Sequence, residues 1–284
     1  MILFLILVLA VFQCTITQYL VENPDFYQLG AYTCESQDFR SMKLGELVAG
    51  RAQLDYDMLT TLMIQNDYDL ISLESLDYSN KLLAARRPAD YRKLKQAYET
   101  ILGDLKYFPV PSSADPSVPD VVYADGWMDK RSYKSGQDET AAEDDDNQNA
   151  SGGRKHEGCD LMGAKKPRGY YPVVSMSDGV VEKVGWLEMG GWRLGIRSPR
   201  GAYLYYAHLY GYSRQWKEGD AVRAGELIGY MGDTGYSKVE GTTGNFEVHL
   251  HVGIYFKTDH FDEISVDPYW ILKYLEKYRF TYRY

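Results

Sequence analysis

Several resources that decide a protein's class are scarce in this chain of 284 residues. Its three cysteines, Cys14, Cys34 and Cys159, are too few for a disulfide framework. They are also too scattered for a thiolate zinc cluster, in which pairs two residues apart recur. If the residues before about position 18 are removed, Cys34 and Cys159 remain and are able to pair across a long loop. A basic surplus is missing too: 31 Lys and Arg face 40 Asp and Glu, a net charge of −9. Nothing there draws a polyphosphate, and no nucleic-acid partner is expected. Histidine is rare, with five residues, and only one apolar run is long.

What is present is enough for a substantial core. Hydrophobic residues make up 45% of the chain and charged ones 25%, which excludes a collagen-like or wholly disordered protein. Twenty-six tyrosines favour strands and aromatic-lined surfaces. The apolar run, Met1 to Phe12, is short for a membrane span and suits the core of a secretion signal, although no Lys or Arg precedes it. Gln13 before Cys14 is a poor lipoprotein cleavage site. Residues 1–18 are therefore read as a secretion signal or short membrane anchor, with membrane association through this segment and an exported location, extracellular or anchored facing outside.

Apolar residues from Leu44 to Met63 recur at helical spacing. A second helix runs from an Asp90 N-cap through the stripe Leu94, Ala97, Tyr98, Ile101, Leu102 and Leu105, with Gly103 a weak spot. Residues 19–107 thus form a helical N-terminal region, and Tyr107 to Ser113 reads as an extended linker. Gly136 to Gly153 holds six acids within nine residues among Gln, Asn, Ser and Gly, and is expected to be a mobile surface loop. It lacks the central glycine of a calcium loop. Short strands split by glycine turns follow: Val173–Met176, Val180–Leu187, Trp192–Arg197 and Ala202–His208. A last helix, 268–278, starts at Pro268 behind an Asp267 cap. The fold class expected is α+β, an antiparallel sandwich- or barrel-like domain over residues 108–284 preceded by the helices.

The histidines concentrate the chemistry. In Phe246-Glu-Val-His-Leu-His-Val-Gly-Ile254, strand alternation sends Phe246, Val248, Leu250, Val252 and Ile254 to the core and Glu247, His249 and His251 to the other face. Two imidazoles side by side can both lean over one ion, or one can bind it while the other works beside it. In His156-Glu-Gly-Cys-Asp160 the glycines and the missing apolar stripe argue against a zincin helix and for a loop that turns both side chains inward. His208 ends the aromatic stretch Tyr205-Tyr-Ala-His. Two histidines and one aspartate would make a three-ligand set with an open fourth position, the arrangement of a catalytic zinc site, and leave two histidines for acid–base work.

These motifs, together with the glycine-rich stretch Glu218 to Gly235, resemble the lysostaphin/LytM-type zinc endopeptidases, which cut peptide bonds in bacterial peptidoglycan. The resemblance covers residues 150–256. It implies an antiparallel core of the duplicated hybrid motif type, one zinc ion on His156, Asp160 and His251, and a catalytic pair of His208 and His249. His249 would be the general base that orients water, and His208 would assist it or stabilise the tetrahedral oxygen. Peptidoglycan peptides are the implied partner and a monomer is expected. Cys159, where a small residue such as Thr is ordinary, is read as a buried filler rather than a rival thiolate. A catalytically silent wall-binding module that activates another hydrolase is the alternative. A phosphocarrier on the related sugar-transport fold would have no use for the Asp160 ligand.

Overall fold

The computed structural model describes residues 1–76, 78, 86–132, 153–164 and 167–284. The acidic segment falls almost entirely on 133–152, outside the described residues. Two compact units divide the chain, residues 1–99 and 100–284.

The first unit is helical. It contains α1 (Ile2–Glu22), α2 (Asp25–Gln28), α3 (Gln37–Arg40), α4 (Gly45–Ala49), α5 (Tyr56–Gln65) and most of α6 (Pro88–Leu102). Helix α1 buries none of its residues and is long and apolar enough to cross a membrane by length and composition. The apolar stripe from Leu44 to Met63 belongs to two helices, because the chain leaves helix at Gly50 and restarts at Asp55. The Asp55 carboxylate accepts hydrogen bonds from the amides of Asp57 and Met58 and caps α5. Helix α6 begins at Pro88, so Asp90 sits in its first turn instead of capping it. Tyr91, Leu94, Tyr98, Ile101 and Leu102 are buried along one stripe, and the helix stops before Gly103.

The second unit is a sheet. Its strands are β1 (Ser112–Ser113), β2 (Lys130–Ser132), β3 (Gly153–Lys155), β4 (Cys159–Met162), β5 (Pro172–Val174), β6 (Gly179–Leu187) and β7 (Gly191–Arg197), followed by β8 (Tyr203–Tyr212), β9 (Ala221–Val222), β10 (Leu227–Met231), β11 (His249–Phe256), β12 (Ile264–Val266) and β13 (Thr281–Tyr282). Nine of them form one antiparallel sheet in the order β12-β11-β8-β7-β6-β9, with β4 also paired to β11, and β10 joining β8 to β5. The path is open among the described residues. The expected linker after Tyr107 is partly ordered by pairing: Phe108 and Val110 are buried, and β1 runs parallel to β13. Helix α7 (Tyr269–Leu275) follows β12, with the Asp267 carboxylate accepting from the Tyr269 amide, and a 3-10 turn carries it to Tyr278.

Strand β11 begins at His249, three residues later than its alternation implies. Leu250, Val252 and Ile254 are buried as expected, but Phe246 lies outside the strand and is not a core residue. Free of the pleat, its ring turns to the histidines described below.

Candidate active site

The register of β11 builds the site. His251 lies opposite Asp160 on β4 and opposite Ala207 on β8, so residues far apart in sequence share one face. His156 occupies the short connection between β3 and β4, and the structure brings it to the same place. Asp160 Oδ1 lies 3.1 Å from His156 Nε2 and 2.9 Å from His251 Nδ1, and the two nitrogens are 3.1 Å apart. Ligand atoms at the corners of a tetrahedron about 2.0 Å from a zinc ion are about 3.3 Å from one another, so the triangle has the right size.

Tautomers support the same reading. His156 Nδ1 faces the Gly126 carbonyl at 2.9 Å, so it carries the hydrogen and leaves a lone pair on Nε2. That lone pair meets the lone pairs of Asp160 Oδ1. Converging donors of this kind call for a cation, and the chemistry of the set fits zinc. Burial opposes ionisation of Asp160, but the imidazoles of His156 and His251 overcome it and hold the carboxyl well below its usual range. Burial pushes the His251 imidazole towards its neutral form, against the opposing pull of Asp160.

Two further histidines complete the group. His249 Nδ1 donates to the Glu247 carbonyl at 2.7 Å, and its Nε2 lies 3.7 Å from Asp160 Oδ1. His208 Nδ1 donates to the Thr234 carbonyl at 2.7 Å, and its ring centre is 4.7 Å from that of His249. Each therefore presents an Nε2 lone pair on the side away from its backbone carbonyl. Burial, reinforced by the neighbouring His249 and His251, drives His208 well below its ordinary pKa and keeps it neutral. His208 and His249 are buried, as is His251.

His208 does not end its strand. It sits inside β8 with φ of +60°, where the pairing with β7 slips register between Tyr206 and Leu209; the pairing with β10 slips two residues on, at Tyr210. A bulge re-aims a side chain in this way, and a non-glycine residue held there stores local strain. The strain is held by the His208 amide, which donates to the Gly190 carbonyl at 2.8 Å, and by the Thr234 contact. Gly191 has φ of +61° and no room for a Cβ, which would lie 2.3 Å from Thr234 Oγ1. The β6–β7 turn can thus pack against Thr234.

All five expected residues line one cleft, with Leu187, Met189, Tyr205, Tyr236 and Arg131 among its other walls. Sequence reasoning missed several of these. Tyr236 stacks on His208 with planes 14° apart, and Phe246 meets His208 edge-on at 4.6 Å. Arg131 Nη1 donates to Asp160 Oδ2 at 2.7 Å. Tyr236 follows the glycine-rich stretch ending at Gly235 and Phe246 opens the stretch that holds His249 and His251, whereas nothing around Arg131 marks it. His260 is exposed and outside the cleft. Cys159 is 1% exposed, with burial pushing its thiol up and its sulfur against the Ala124 carbonyl, as a filler should be. Cys34 is likewise buried, and no disulfide joins it to Cys159.

Comparisons with known proteins agree with this geometry. Residues 154–263 match the model of peptidase family M23. An L-Ala–D-Glu endopeptidase of Bacillus subtilis is 35% identical over 242 residues, 81% of this chain and 64% of that protein, so the chain spans under two thirds of that relative. Lysostaphin of Staphylococcus simulans is 40% identical over 68 residues, 23% of this chain and 13% of that one. A crystal structure from Ruminococcus gnavus, named for a glycyl-glycine endopeptidase LytM, is 38% identical with a TM-score of 0.71, covering 93% of this chain and 97% of that one. With that similarity end to end and the matching domain, the chain belongs to peptidase family M23.

Proposed function

We propose that this protein is a zinc-dependent endopeptidase that hydrolyses peptide bonds in bacterial peptidoglycan stems or cross-bridges. The observation that carries the reading is the triangle of His156 Nε2, Asp160 Oδ1 and His251 Nδ1, with two more histidines beside it whose Nδ1 hydrogens are committed to backbone carbonyls. Three protein ligands leave a position for water or substrate, as catalytic zinc sites do.

Zinc held by these three residues would supply Lewis acidity, lowering the pKa of a bound water to about 7. The chain's own groups do the rest. His249 Nε2, a lone pair 3.7 Å from Asp160 Oδ1, accepts the proton of the attacking water and returns it to the leaving amine. His208 Nε2 is likewise an acceptor in the neutral ring, so it helps to hold the water; stabilising the tetrahedral oxygen requires it first to gain a proton. Tyr236 and Phe246 fix the imidazole planes and keep water from their faces.

In this reading residues 1–18 export or anchor the chain, 19–107 form a helical region with no assigned activity, and 108–284 are the peptidase domain, a monomer with a sandwich- or barrel-like core of the duplicated hybrid motif type. The relatives' names and the exposed apolar helix α1 support action outside the cell on the wall. The test is elemental analysis for zinc together with mass analysis of peptidoglycan fragments after digestion. One zinc per chain and new fragment ends support the reading. Wall binding without new ends would instead favour a silent binding module.

A further inference from the structure

We infer that Arg131 selects the substrate by binding a free carboxylate on the peptide beside the bond that is cut. The inference rests on the peptidase reading above and names the substrate class: acidic stem peptides, not glycine bridges.

Arg131 sits in the middle of β2 and reaches the cleft, where its Nη1 donates to Asp160 Oδ2 at 2.7 Å. The two carboxylate oxygens are thereby divided, with Oδ1 turned to His156 and His251 and Oδ2 to the guanidinium. This contact tethers the guanidinium without using it up. Its Nη2 lies 3.3 Å from His156 Nδ1, but that nitrogen already gives its hydrogen to the Gly126 carbonyl and accepts nothing. Among the described residues, Nη2 has no polar contact besides this one and Nε has none. Two nitrogens of a planar fork are thus left with donors, the arrangement that pairs with a carboxylate.

Charge and exposure point the same way. The Asp160 side chain is 12% exposed and that of Arg131 is 44%, so the guanidinium stands at the solvent side of the pair. Arg131 is the one Lys or Arg lining the cleft among the described residues. The other walls, Leu187, Met189, Tyr205 and Tyr236, offer apolar and aromatic surface and no second cation. A glycyl bridge has no group for Arg131 to hold. A stem peptide with an acidic residue next to the cut bond does.

The experiment uses two synthetic stem peptides that differ only at that residue, one with a free carboxylate and one with its carboxamide. Wild-type protein should prefer the acid by about tenfold or more in kcat/KM, the difference lying in KM because the contact is made equally in substrate and transition state. Arg131→Gln should bring the ratio close to one, and Arg131→Lys should restore part of it. The ratio is read within each protein, so any weakening of Asp160's support, monitored as zinc content, cancels. Equal cleavage of the two peptides by wild type, or an undiminished ratio in Arg131→Gln, overturns the inference. If wild type cleaves neither peptide but opens a glycine cross-bridge peptide, the inference is overturned and the peptidase reading stands. If it cleaves none of the three, the peptidase reading fails, and equilibrium binding of the stem pair decides the Arg131 assignment: an acid preference lost in Arg131→Gln supports it, and equal affinities in wild type overturn it.

Discussion

Gly158 and His251 are in such close contact that a Cβ on the glycine would lie 2.5 Å from His251 Cε1 and 2.6 Å from its Nε2. The same Cβ would meet the Val252 carbonyl at 2.6 Å, so the glycine's neighbours include rigid backbone. A glycine two residues before Asp160 is therefore what lets the β3–β4 connection pass behind the His251 ring. Gly158→Ala should push the ring from its place and lower metal affinity by about 10–100-fold, the range found when a ligand's support is removed. Gly211→Ala, whose Cβ would meet nothing within 4 Å, is the control. Chelator competition on both variants checks this; equal affinities would show that the ring has room to adjust.

The strained backbone at His208 yields a second prediction. Asn tolerates positive φ better than most residues, so His208→Asn should fold with a melting temperature close to that of wild type. Turnover should fall by roughly 10²–10⁴-fold, the usual worth of an acid–base group. A calorimetric scan and a turnover assay on the same preparation read both. Full activity would remove His208 from the chemistry.

A third concerns pH. Burial pushes the Asp267 carboxyl up to about 8, against the pull of the Tyr269 amide and with help from the neighbouring Asp125. A carboxyl whose folded pKa is raised contributes its full stability below its unfolded value near 3.8 and loses it as pH climbs towards 8. Asp267→Asn keeps an acceptor for the Tyr269 amide and has nothing to ionise. Its stability relative to wild type should therefore rise between about pH 4 and pH 8. Parallel melting curves across that window would show that the carboxyl ionises freely in the folded protein.

Much of the site was legible in the sequence because its residues lie in short motifs: His156 and Asp160 four apart, His249 and His251 two apart on a strand. What stayed hidden depends on how distant segments meet. The slip in register that bends β8 at His208 arises from its pairing with β7, and no local signal marks it. Phe246 was misplaced because alternation was extended past the start of β11, and a chain outside a strand has no pleat to obey. Arg131 reaches Asp160 through a two-stranded ribbon whose partner strand is 23 residues away by the register of Arg131 with Arg154. The helical stripe before Met63 looked continuous because periodicity reports burial, whereas Asp55, a capping residue within it, marks the break.

The division of labour along β11 is the central claim. His251→Ala removes one corner of the triangle, so zinc should be lost and the melting temperature should fall, since the metal binds only the folded chain. His249→Ala leaves the triangle intact, and should keep zinc and fold normally while losing roughly 10²–10⁴-fold in turnover. Zinc stoichiometry measured beside turnover in these two variants is the most direct test. Zinc absent only from His251→Ala, with turnover collapsed in both, is the result expected; equal zinc loss in both, or full turnover in His249→Ala, would contradict the account.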